Sequence, residues 1–326
     1  MHRSGRYNSG QFPLRRQILD PVLFSFEVFG RVIELRWYGL LVALGVAVAA
    51  WLAEREIKRR GENPEHVWNA LLWLLPIGVL GARLWYVVNA TLGGNPVYLE
   101  NPGKILAVWE GGLHFFGGLL FGVITLYFYA RHYKLDMWLF LDAIAPVTLI
   151  GQAVARPANF INQELYGQPT TLPWGISIDA FHRINVFSDL VKYPVETTRF
   201  HPTFAYEMIY NFVVGGLLLW AAQRWPEKFK PGAVLAWWLV LAGSGRTFIE
   251  FFRPDQPVIA GTFLTTSQLV SALMGLAGLI MLMARNNTIT IPGLKFPDAY
   301  QIAPAPAATA PAAKTTKKAL RRKRRV

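Results

Sequence analysis

The chain has 326 residues, no cysteine, 53% apolar and only 16% charged residues, with a mean hydropathy of +0.27. Soluble proteins devote about a quarter of their residues to charge, so this composition excludes an ordinary water-soluble globule, and the missing cysteines exclude disulfides, an enzyme thiolate and Cys-ligated metal. The formal charge is +13, but ten basic residues and one acid, Asp298, lie between Arg285 and Val326. An excess so concentrated at one end argues against nucleic acid as a partner.

In chain order, an N-terminal arm, 1–36, carries Arg3, Arg6, Arg15, Arg16, Arg31 and Arg36. It lacks the unbroken apolar run and small-residue cleavage site of a signal peptide, so it is expected to be retained. Residues 22–35 alternate around Gly30 and predict a hairpin at the membrane surface. Seven windows then meet the demand of roughly 20 apolar residues for a spanning helix: about 37–53, 67–89, 113–130, 137–153, 203–222, 232–249 and 266–284. The expected fold is therefore all-α and polytopic, with about seven transmembrane helices filling 37–284.

Lys and Arg favour cytoplasmic loops. Arg55, Lys58, Arg59 and Arg60 follow the first window, Arg131 and Lys134 the third, and Arg224, Lys228 and Lys230 the fifth. These loops and the basic tail, 285–326, are expected in the cytoplasm, with the tail disordered and the N-terminus outside. The alternate links are poorer in basic residues for their length, with Lys104 alone between the second and third windows and Arg253 alone after the sixth. The segment of about 154–202, rich in Asn, Pro and Thr, is too long for a turn and predicts a small outward-facing head or substrate-binding loop.

Charges within spans are expensive, at roughly 2.5–3.5 kcal/mol each on insertion scales, and mark function by default. Arg83 lies in the second window. Arg246 lies one turn before Glu250 in the sixth, on the same helix face, and Arg156 directly follows the fourth. Arginine offers phosphate a planar, permanently charged fork. The densest polar group is Arg156-Pro157-Ala158-Asn159-Phe160-Ile161-Asn162-Gln163-Glu164-Leu165-Tyr166-Gly167, whose guanidinium, amides and carboxylate suit an anionic, hydroxylated head group.

That stretch resembles the signature of the bacterial prolipoprotein diacylglyceryl transferases, Gly-Arg-x-Gly-Asn-Phe-Ile-Asn-x-Glu-x-aromatic-Gly. Further blocks follow the family order: Arg36-Trp37-Tyr38-Gly39, Trp109-Glu110-Gly111-Gly112 leading to Gly117-Gly118-Leu119, Asp142 with Pro146, His201-Pro202-Thr203 with Tyr206 and Glu207, and Arg246 through Arg253. The chain departs from the pattern at Ala155 and Ala158, usually Gly, and at Pro157. It departs also at Phe116, where the family places a His; His114 stands two residues earlier.

The resemblance implies transfer of the diacylglyceryl group of phosphatidylglycerol to the lipobox cysteine in the signal peptide of a prolipoprotein, at the bacterial inner membrane, with membrane lipid as surroundings. No cofactor is implied, and no metal-ligand spacing is present. Arg156 and Arg246 would neutralise the phosphate, Tyr38 would line the site, and His114 would accept the thiol proton from an extended segment, with Tyr38 or His201 as the fallback. Asn159, Asn162, Glu164, Gly167, Arg83, His201, Glu250 and Arg253 would bind substrate. Two other classes compete. One is a relative impaired by Phe116 that binds lipid or precursor without turnover. The other is an anion transporter, for which inverted repeats with broken helices would be expected and none is seen.

Overall fold

The computed structural model describes residues 20–28, 30–254, 258–259, 261–292 and 296–302, with the backbone alone at Arg31, Glu110, Phe115 and Phe116. The first part of the arm and the stretch 303–326 lie outside the described residues, as does the Phe116 side chain.

The expected hairpin is present. Strand β1 (Val22–Val28) pairs antiparallel with β2 (Arg31–Arg36), setting Phe26 opposite Ile33 and Glu27 opposite Val32. Gly30 turns the chain at φ 73°, a left-handed angle that costs Gly nothing for want of a Cβ. Phe24, Phe26, Val32 and Ile33 remain exposed. Two strands have no core of their own, and an apolar face of this kind suits a lipid surface.

Helices occupy every window: α1 (Trp37–Arg59), α2 (Glu65–Leu92), the short α3 (Val97–Glu100), α4 (Phe115–Tyr133), α5 (Met137–Ala155), the short α6 (Pro157–Ile161), α7 (Thr203–Arg224), α8 (Ala233–Glu250) and α9 (Thr266–Arg285). Among the described residues, five segments are long and apolar enough to cross a membrane: α1, α2, α5 continuing through α6 to Ile161, α7 and α9. The expected count of seven is thus not reached by that measure. In α8, Arg246 and Glu250 occupy two of eighteen positions and lower its mean hydropathy.

Helix α5 is the centre. Leu139, Phe140, Ala143 and Val147 are all but sealed from solvent, and α1, α7 and α8 pack around it. A Cβ at Gly45 would lie 2.4 Å from the Gly151 carbonyl oxygen, so only a small-residue seam lets α1 and α5 come this close. Helix α2 pairs chiefly with α4, and α8 with α9.

Buried polar groups tie these pieces together, as a low-dielectric interior requires. Asp142 of α5 accepts from the Gly232 and Leu235 amides at 2.6 and 2.7 Å, capping α8 from outside, and from the Tyr300 hydroxyl at 2.9 Å. The segment 296–302 therefore departs from the disordered tail expected for 285–326. Phe296 packs on Trp138 with ring centroids 5.0 Å apart, and the Gln301 amide donates to Asp136 at 2.6 Å. Two aromatic anchors and two carboxylates outweigh the local Ala and Pro content.

The segment between α5 and α7 builds a small head. Tyr166, Ile178, Phe187 and Phe200 form its own apolar cluster, and the Phe200 and Ile176 backbones exchange hydrogen bonds of 2.9 and 3.0 Å. Asp179 caps a helical turn by accepting from the Phe181 and His182 amides, both at 3.0 Å. The Gln163 side chain brackets Asp179, donating to its carboxylate at 2.8 Å and accepting from its amide at 2.9 Å. Burial raises the Asp179 carboxyl, but the bonds from His182 and Gln163 outweigh it and hold the group below its ordinary range. The head is fastened to the signature stretch that precedes it.

Candidate functional site

Arg156 is the joint between α5 and α6, its backbone αR at φ −59° and ψ −30°. Pro157, the departure noted above, takes the first helical position of α6, where its missing N–H is no loss. From this joint the guanidinium donates to Asn159 Oδ1 at 3.3 Å and to Glu207 Oε1. Asn159 in turn donates to Glu164 Oε1 at 2.8 Å, and Asn162 reaches the same oxygen at 3.4 Å. Gln163 and Leu165 adopt left-handed φ angles of 51° and 54°, a strain for non-Gly residues that tends to mark functional turns.

Arg246 comes from α8. Its Nη2 meets Glu250 Oε2 at 2.9 Å across one turn, its Nη1 meets Glu207 Oε2 at 3.6 Å, and its Nε donates to Ser267 Oγ at 3.1 Å. The start of α9 sets this geometry. Thr265 accepts from the Gln268 amide at 3.1 Å in a capping box while its hydroxyl donates to Glu250 Oε1 at 3.3 Å.

Glu207 of α7 therefore receives two guanidinium groups, one on each oxygen. The Glu207 and Glu250 side chains are 11% and 0% exposed, whereas those of Arg156 and Arg246 keep 19% and 28%. The carboxylates are sunk deeper than the cations, and the two guanidinium groups, held by them, bring paired positive charge to one place. Glu207 was not among the residues singled out as site candidates; counting acids as well as arginines within the apolar windows would have found it.

Beside this network lies an aromatic group. Tyr206 precedes Glu207 on α7; its hydroxyl accepts from Trp174 Nε1 at 2.8 Å and pairs with His201 Nδ1 at 3.0 Å. Burial pushes the His201 imidazole below its ordinary 6.5, so it is neutral at pH 7. Phe252 stands 5.3 Å from the His201 ring. Gly167 joins the two groups through its backbone, donating to the His201 carbonyl at 2.8 Å. A Cβ there would lie 2.6 Å from the Phe252 carbonyl oxygen and 2.8 Å from Thr203, so close packing requires Gly. Arg253 is buried just beyond α8, and Tyr38, in the first turn of α1, is nearly half exposed.

Arg83 has different surroundings. At 1% exposure it donates to the carbonyls of Ile105 at 3.1 Å, Lys104 at 2.6 Å and Gly111 at 2.5 Å, with the Tyr86 and Tyr98 rings alongside. Its fork is filled by the backbone of 104–111. His114 follows this segment. Its amide donates to Ala82 at 3.0 Å, its ring lies 6.4 Å from Trp85, and its backbone is extended at φ −113° and ψ 125°. The extended backbone expected at His114 is present, but regular helix begins at Phe115, so Phe115 and Phe116 already belong to α4.

An apolar groove of about 450 Å³ runs between α8 and α9 to Thr247, lined by Val240, Gly243, Leu276 and Leu279. Among the described residues, no group of three His, Asp or Glu is placed to hold a metal.

Comparison with known proteins shows the family. The family model described as prolipoprotein diacylglyceryl transferase matches residues 21–284. A phosphatidylglycerol–prolipoprotein diacylglyceryl transferase of Chloroflexus aggregans is 40% identical over 243 residues, covering 72% of this chain and 78% of the relative. The proteins of that name from Enterococcus faecalis and a Synechocystis species are each 34% identical, over 272 and 279 residues, covering 83% and 84% of this chain and 92% and 91% of their own lengths. The chain is a multi-pass membrane protein and belongs to the prolipoprotein diacylglyceryl transferase family.

Proposed function

We propose that this chain transfers the diacylglyceryl group of phosphatidylglycerol to the lipobox cysteine of a prolipoprotein signal peptide. The observation that carries the reading is the convergence of Arg156 and Arg246 on Glu207, in a family whose named members act on these two substrates. The thiol sulfur forms a bond to the glyceryl carbon, and the bond from that carbon to the phosphate oxygen breaks. The electron pair leaves with glycerol phosphate, and the product is a thioether.

Charge develops on the departing phosphate, and fixed cations aimed at it stabilise the transition state most. Arg156 and Arg246 supply them. Asn159, Asn162 and Glu164 hold Arg156 in place, Glu250 and Ser267 hold Arg246, and the groove between α8 and α9 accommodates acyl chain. Tyr38 lines the entrance, Arg253 adds positive potential, and Gly167 keeps the signature turn against Phe252. The thiol proton goes to His114, whose extended backbone frees the ring from the α4 helical register. His201, neutral and beside Tyr206, is the second candidate acceptor.

With the seven apolar windows as spans of the inner membrane in which the family acts, the loop charges favour an outward N-terminus and a cytoplasmic tail, and Arg156, Arg246 and the head would then lie on the outer side, where precursors emerge. A cysteine introduced at Lys318 should then resist an impermeant reagent in intact cells; labelling would reverse the orientation.

The test of function is incubation of membranes containing the chain with labelled phosphatidylglycerol and a lipobox peptide. Label on the peptide cysteine is expected. Lipid or peptide binding without transfer would favour the impaired relative that Phe116 suggests, and neither would defeat both readings.

A further inference from the structure

At the other end of α8 and α9 lies a polar pocket of about 200 Å³, with Glu227, Lys228, Lys230, Trp237, Leu282 and Arg285 in its lining. Arg285 ends α9, which has 20 residues and is about 30 Å long at ~1.5 Å per residue. A full hydrocarbon thickness therefore separates this pocket from Ser267 and Arg246, and it is no part of the site described above.

Arg285 is only 7% exposed, and among the described residues its Nε and Nη2 have no hydrogen-bond acceptor. A buried guanidinium without acceptors is costly and asks for an anion. Its charged neighbour is Asp298, 3.6 Å away; the same carboxylate oxygen lies 3.5 Å from Lys230. Asp298 itself is 89% exposed, and both separations exceed a charge-assisted hydrogen bond. A single solvated carboxylate thus hovers over two cations, and Lys228 adds a third, its ammonium 5.4 Å from the Trp225 ring. Glu227 is the opposing acid in the lining. Trp237 and Leu282 form the apolar wall.

We propose that this pocket binds the phosphate of an anionic phospholipid head group, with Arg285, Lys230 and Lys228 as its cations and Asp298 as a competing internal carboxylate that the lipid displaces. The arrangement matches what such recognition needs: basic side chains between helix ends at the water interface, an unfilled guanidinium fork, and an apolar wall leading into the bilayer. The lipid would seat on the leaflet opposite the Arg156 network. The proposal does not rest on the transfer reading.

The experiment is native mass spectrometry of the full chain released from non-ionic detergent micelles, titrated with phosphatidic acid. One saturable lipid that is retained in Arg156→Gln is expected. Lys230→Gln, at a half-exposed position, should weaken it about fivefold, the factor that ~1 kcal/mol per basic residue near the surface gives, and Arg285→Gln should weaken it further. Asp298→Asn should strengthen it, a gain no merely structural role predicts. Unchanged binding in Lys230→Gln, or weaker binding in Asp298→Asn, would overturn the proposal. Displacement by an equal concentration of inorganic phosphate would overturn the lipid assignment in favour of free phosphate. A lipid lost only in Arg156→Gln belongs to the transfer site, so failure of either reading leaves the other standing.

Discussion

Arg83 and the pair Arg156 and Arg246 are arginines in apolar helices or at their ends, yet the structure uses them in opposite ways. Arg83 is sealed and spends its donors on main-chain carbonyls that cannot leave. Arg156 and Arg246 are partly open and lean on carboxylates that hold them from behind. The first arrangement staples 104–111 to α2. The second keeps a strong, aimed charge available. An intramembrane arginine is thus read by its partners: carbonyls mean architecture, and sunken carboxylates behind a partly open side chain are the basis of the phosphate role proposed above.

The sharpest way to break this contrast is to keep charge and lose shape. Arg156→Lys and Arg246→Lys should each lower transfer by about 100-fold or more, with membrane insertion and thermal stability close to the parent; near-normal transfer to a lipobox peptide would remove the phosphate role. Arg83→Met should do the reverse. It leaves three carbonyls without donors, at about 1–3 kcal/mol each, so yield and melting temperature should fall while the activity per folded molecule stays within a few-fold.

The proton acceptor can be sharpened in the same assay. His114→Ala should abolish transfer and leave lipid binding, and adding Phe116→His should restore part of it. Full transfer by the single variant would pass the role to His201, whose own replacement by Ala would then be the inactive one. Gly167→Ala tests the seam between signature and α7. Its new methyl meets the Phe252 carbonyl and Thr203, an overpacking worth about 1–3 kcal/mol, to be read in thermal melts and in reduced transfer.

The smallest expected effect lies in the head. Because the Asp179 carboxyl is held below its ordinary 3.8, its contribution is complete above that pH and fades as pH falls through the lower folded value. Asp179→Asn should therefore flatten the acid limb of the melting profile below about pH 4, and a profile unchanged from the parent would show that this cap is idle.

Much of this was legible in the residues. The long helices fall on the apolar windows because length and hydropathy are one-dimensional properties, and the hairpin follows from alternation around Gly30. Arg246 and Glu250 meet as their one-turn spacing demands. The role of Arg83 was not legible, since its partners are main-chain carbonyls some twenty to thirty residues away, and a carbonyl has no sequence signature. Glu207 as the junction of two arginines depends on α5, α7 and α8 meeting in space. The fastening of 296–302 was hidden for the same reason: Tyr300 finds a partner 158 positions earlier.

That last contact has a mechanical consequence. Tyr300 holds the carboxylate that also receives the first amides of α8, and Gln301 holds Asp136 at the head of α5. Tension applied at the C-terminus is therefore carried into α5 and α8 before it reaches α9, the helix next to it along the chain. In a pulling measurement the first rupture should be the joint release of Gln301 and Tyr300, with α9 withdrawn only afterwards, and Tyr300→Phe should lower the force of that first event while leaving the later ones in place.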